Sequence, residues 1–155
     1  MTDLKITLEQ VGTVAFTATG ETSGATVAID GSPKVGGEGR GMRPTELFLS
    51  GLASCAAIDV VHILRRQKEP LERLRIEIVG TRTDEPPTKF VRATMRFIAE
   101  GDVSRSKLER AVSLSVEKYC TVRNSLDPAM EIAYEAVLAS DELASAQPGD
   151  DGKDA

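Results

Sequence analysis

The sequence predicts an α+β fold with the element order β-β-β-α-β-β-α-β. Three observations carry that prediction. Short runs of alternating polar and apolar residues, separated by glycines, fill the first 30 positions. A single apolar stretch from Leu47 to Leu64 is far too long for a strand. The strands come in clusters instead of alternating one by one with helices, which separates α+β from doubly wound α/β.

The elements follow in order. Leu4, Ile6 and Leu8 alternate with Lys5, Thr7 and Glu9, which is the period of a strand. Val14, Phe16 and Ala18 repeat the pattern, and Val27 and Ile29 form a third run, with Gly12, Gly20 and Gly24 at the turns of a meander. Residues 31–44 form a loop holding five of the 13 glycines. Their order fits neither a P-loop nor G-x-G-x-x-G. The loop reads as a flexible connector or as a mobile flap carrying Arg40 or Arg43 over a site.

Pro44 opens a long helix, because its missing N–H costs nothing at a first helical position. From Leu47 to Leu64 only Ser50, Gly51, Ser54, Asp59 and His62 interrupt the apolar and cysteine residues, so the helix should be buried on most sides. Asp59 and His62 argue against a membrane span. One chain of this size has few places to bury such a helix, so a second copy should cover the remaining face, giving a homodimer. Arg65, Arg66 and Lys68 suit the helix C-terminus and Pro70 marks its stop.

Two strands follow, with Leu74, Ile76 and Ile78 in one and Val91, Ala93, Met95 and Phe97 in the other, turned at Pro86-Pro87. Ser104 or Ser106 caps a second helix along Leu108, Ala111, Val112, Val116 and Tyr119. Met130, Ile132 and Tyr134 form the last strand. The domain is thus expected over residues 1–138. Residues 139–155 read as a disordered acidic tail, carrying −4 of the chain's net charge of −5.

Composition narrows the function. The chain has 155 residues with 24 acidic and 19 basic side chains, and the acidic balance argues against nucleic acid as a partner. Two Cys and one His are too few soft ligands for a zinc or iron–sulfur site, and no cofactor is implied. At 28% charged residues the chain is no membrane bundle, and 41% apolar residues argue against wholesale disorder. The first residues carry no apolar run of export-signal type, so a cytoplasmic location is expected. Thiols stay reduced there, and a cysteine pair is more often catalytic or redox-active than a permanent staple.

Cys55 lies in the apolar helix and Cys120 at the end of the second helix. Position alone leaves three readings: two small core residues, a structural disulfide stabilising by about 4 kcal/mol, or a peroxidatic and resolving pair. A reactive Cys55 needs a cation or hydrogen-bond donor, since the helix dipole fades beyond the first turn and burial disfavours the thiolate. Arg40 and Arg43 are the nearest candidates in sequence. Glu46 could orient such an arginine, but nine residues of continuous helix put it about 13 Å from Cys55 along the axis and on the opposite face. A meeting of the two requires a break near Ser50-Gly51 or a second subunit. Otherwise Glu46 is a first-turn acid favoured by the dipole. Asp59 and His62 share a face with Cys55, and a hydrogen-bonding role at a dimer interface suits them better than catalysis.

The stretch Pro44-Thr-Glu-Leu-Phe-Leu-Ser-Gly-Leu-Ala-Ser-Cys55 resembles the first cysteine motif of the OsmC/Ohr family, the osmotically inducible and organic-hydroperoxide-resistance proteins. Tyr119-Cys-Thr-Val-Arg-Asn124 resembles the second, and the resemblance runs over about residues 4–138. Ala57-Ile-Asp-Val-Val61 and Glu117-Lys-Tyr-Cys120 look closer to the YhfA-like branch than to Ohr or OsmC proper. The resemblance implies an intertwined α+β homodimer with paired central helices, and a thiol peroxidase acting on organic hydroperoxides. By it, Cys55 attacks the peroxide and becomes a sulfenic acid, and Cys120 condenses with it to a disulfide. A dithiol, lipoyl groups in better-known members, then reduces that disulfide. Arg40 and Glu46 would be the accompanying site residues. Two positions depart from the pattern. Thr45, not Glu46, follows Pro44, and no arginine precedes Arg40. They motivate a rival reading, a redox-sensing or small-ligand-binding dimer with little or no turnover.

Overall fold

The computed structural model describes residues 1–146 and divides into two compact units, Met1–Phe48 and the chain from Leu49 onward. In the first unit, β1 (Ile6–Gln10), β2 (Ala15–Gly20) and β3 (Thr26–Asp30) form an antiparallel meander. Ala15 and Ala18 of β2 are buried, whereas every residue of β1 is exposed, with Ile6 at 57%.

The glycine-rich loop after β3 is an organised turn and not a flexible connector. The buried carboxylate of Asp30 accepts from the backbone N–H groups of Gly31 (2.8 Å), Glu38 (2.9 Å) and Arg40 (3.0 Å). Those bonds, from Arg40 and Glu38 foremost, hold its pKa below the ordinary carboxylate value. Glycine is required where backbones meet: a Cβ on Gly37 would lie 1.9 Å from the Gly31 carbonyl oxygen, and one on Gly41 2.4 Å from the Ala28 carbonyl.

Helix α1 (Pro44–Arg66) runs unbroken through Ser50-Gly51. In the second unit β4 (Leu71–Arg82) pairs antiparallel with β5 (Phe90–Gly101), and β6 (Glu131–Leu138) joins β5 in parallel. Between β5 and β6 lie α2 (Arg105–Leu114), a π-helical turn (Ser115–Tyr119) and the short α3 (Thr121–Asn124). Leu52, Ala56, Val60 and Leu64 follow a spacing of four along α1 and share one core with Met95 and Phe97 of β5 and Leu108 and Val112 of α2. The burial expected on most sides of this helix is confined to that stripe in the single chain. Ile58, on another face, is 69% exposed.

Two further expectations need correction. The π turn widens the backbone by one residue per turn, so the stripe of α2 ends at Val116 and Tyr119 swings out to 49% exposure. Residues 139–146, expected in a disordered tail, form α4 (Ala139–Ala146). Asp141 and Glu142 sit in its first turn, where the helix dipole favours acids. Asp141 pairs with Arg105, and Glu142 with Arg75 (3.2 Å) and Arg96 (2.8 Å). The rest of the expected tail, 147–155, lies outside the described residues.

Candidate active site

Cys55 sits midway along α1 and is half-buried. Cys120 is fully buried at the junction of the π turn and α3. The fold brings the two free thiols close enough for Cys55 to act on the Cys120 thiol. The Ser115 hydroxyl fixes that approach by donating to the Ala56 carbonyl at 2.8 Å, in a buried contact between the π turn and α1. The Cys120 thiol also faces the Leu52 carbonyl at 4.0 Å, and its sulfur accepts the Arg123 backbone N–H at 3.4 Å. Burial dominates that environment and pushes the Cys120 thiol up to about 11. The donor from Arg123 works the other way, while Cys55 and the charge of Asp59 add to the rise. Cys120 therefore rests as a thiol, and Cys55 is the one exposed to solvent.

Beside the pair, Asp59, His62, Arg66, Gln67 and Tyr119 line a cavity of about 690 Å³. Asp59 Oδ2 and Gln67 Oε1 are buried without a hydrogen-bond partner among the described residues. The face Asp59 shares with Cys55 is visible in the sequence as an i, i+4 spacing. The burial of its oxygen is not, because the π turn and α2 create it.

The other two candidates belong to the first unit. The Arg40 guanidinium pairs with Glu38, and both are about half-exposed. Glu46 accepts from the Arg43 backbone N–H at 2.9 Å. That contact is half of a capping box, the role of a first-turn acid. Since α1 is continuous, the break that would turn Glu46 toward Cys55 is absent.

The model of the OsmC-like protein family matches residues 37–135, which include both cysteines. The chain belongs to the OsmC-like protein family. It is 36% identical over 99 residues to Protein YhfA of Escherichia coli K12, covering 62% of this chain and 74% of that one. A hypothetical protein from Aquifex aeolicus VF5 superposes with a TM-score of 0.75 at 28% identity, over 89% of this chain and 98% of the other. An organic hydroperoxide resistance protein, OsmC, of Legionella pneumophila shares the fold with a TM-score of 0.66, over 88% of this chain and 98% of that one, at 16% identity. This OsmC-like protein thus has the α+β architecture of its family, and some relatives in the family carry organic hydroperoxide resistance in their names.

Proposed function

We propose that this OsmC-like protein is a thiol peroxidase that reduces organic hydroperoxides to alcohols. The observation that carries the reading is the neighbouring pair of a solvent-reachable Cys55 and a buried Cys120 held as a thiol. Cys55 attacks the peroxide O–O bond, releases the alcohol and becomes a sulfenic acid. Cys120 then displaces water to form the Cys55–Cys120 disulfide, which an external dithiol, a lipoyl group by family resemblance, returns to two thiols as it becomes a disulfide itself. The protein works as a cytoplasmic homodimer. The apolar surface at Ile58 and Val61 of α1, and the exposed apolar residues of β1, support that assembly. In it, Arg40 or Arg43, oriented by Glu46, supplies the positive charge that activates Cys55.

Turnover of cumene hydroperoxide with dihydrolipoamide tests the reading. Wild type should turn over, Cys55→Ser should not, and Cys120→Ser should accumulate a sulfenic acid without a dithiol cycle. Wild-type turnover equal to that of Cys55→Ser contradicts it. A second reading, a redox sensor without efficient turnover, is favoured by the pairing of Arg40 with Glu38 and the capping role of Glu46. A sensor forms the disulfide once per oxidant pulse and is re-reduced slowly.

A further inference from the structure

Asp59 lies one turn beyond Cys55 on α1, so the two side chains leave the same face of the helix. Its Oδ2 atom is buried and accepts no hydrogen bond from the described residues. Native interiors rarely leave an acceptor in that condition, and a catalytic role is one of the physical reasons for such an exception. The carboxylate also borders a cavity of about 690 Å³, large enough for a small solute to reach it.

The proposed cycle contains one step that needs a proton acceptor. Cys120 must lose its proton as it attacks Cys55, and no solvent reaches its sulfur directly, since its exposure is 0%. We infer that Asp59 is the acceptor that takes the Cys120 thiol proton as that sulfur attacks Cys55. In the peroxide cycle the Cys120 S–H bond breaks and the S–S bond forms. The Cys55 S–O bond breaks, and hydroxide leaves and recovers the proton from Asp59 as water. Cys120 sulfur is oxidised and Cys55 sulfur is reduced from its sulfenic state. The inference rests on the dithiol reading above. The upward push that the Asp59 charge exerts on Cys120 agrees with their proximity. The other titrating or charged groups around Asp59 are Cys55, His62 and Arg66 from its own helix, and Cys120 and Tyr119 from the π-turn segment. His62 and Arg66 are exposed.

The test uses 5,5′-dithiobis(2-nitrobenzoate) in place of peroxide, so that its failure is separable from failure of the peroxidase reading. The reagent labels the accessible Cys55 and releases one thionitrobenzoate. Attack by Cys120 releases the second, and that phase is absent in Cys120→Ser. In wild type, closure should climb far less than tenfold per pH unit, because Asp59 takes the Cys120 proton within the step itself. In Asp59→Asn, closure at pH 7 should slow by about tenfold or more and then rise about tenfold per pH unit with the Cys120 thiolate. In Asp59→Ala, added formate should restore closure through the cavity, which an unfolded chain could not mimic. If Asp59 acts only as a negative charge holding Cys120 as a thiol, Asp59→Asn closes as fast as wild type or faster, and that result overturns the inference. Slow closure that formate leaves unmoved, or a wild-type rate climbing tenfold per pH unit, overturns it equally.

Discussion

The two cysteines should differ sharply in reactivity, and pH is the perturbation that reveals it. With its thiol at about 11 through burial, Cys120 carries roughly one thiolate in 10,000 at pH 7. A thiol at the ordinary 9.0 carries about 1% at the same pH, some 100-fold more. Alkylation by iodoacetamide, followed by peptide mass spectrometry at timed intervals, should therefore modify the solvent-reachable Cys55 first, with Cys120 slower by about two orders of magnitude than such a thiol. The rate at Cys120 should climb about tenfold per pH unit and level off only near pH 11. The same shift links to stability. The folded value lies above the ordinary 9.0, so the unfolded chain ionises this thiol first. The contribution to stability is whole below about pH 9 and declines as pH rises toward about 11. That decline should be absent in Cys120→Ser. Equal alkylation of both cysteines at pH 7, or a midpoint for Cys120 near 9, refutes the argument that burial governs this thiol.

Four further outcomes follow from the packing. Ser115→Ala removes the buried bond to the Ala56 carbonyl and should cost about 1 kcal/mol in urea unfolding, while slowing closure of the Cys55–Cys120 disulfide. Leu52→Ala empties a fully buried position in the core and should cost about 2–5 kcal/mol by the same measurement. Gly37→Ala forces a Cβ into the Gly31 carbonyl and should raise amide exchange across residues 31–43, as should Asp30→Asn. Because hydrogen bonds from Arg40 and Glu38 lower the Asp30 pKa, its contribution is present above the ordinary value of 3.8. It is lost as pH falls through the lower folded value, so loop exchange in wild type should rise only in strong acid.

The order of strands and helices was legible because it rests on local pattern. Leu74, Ile76 and Ile78 alternate, and Leu52, Ala56, Val60 and Leu64 recur every four residues. What escaped depends on partners distant in sequence. Helix α4 follows a strand and is held by Arg75, Arg96 and Arg105, which no local composition reveals. The order in the glycine-rich loop comes from a single carboxylate, Asp30, that looks like an ordinary strand-end acid in the sequence. At the site, the motifs drew attention to Cys55 and Cys120, and chain folding brings them together. The π turn that aims Cys120, and the buried oxygen of Asp59, come from packing between segments over 50 residues apart, as the Ser115–Ala56 bond illustrates.

The most direct test of the central reading is the intact mass of the reduced protein after one equivalent of cumene hydroperoxide. The account predicts loss of about 2 Da in wild type, from the Cys55–Cys120 disulfide, and gain of about 16 Da in Cys120→Ser, from a Cys55 sulfenic acid. An unchanged wild-type mass, or oxidation that persists in Cys55→Ser, contradicts it.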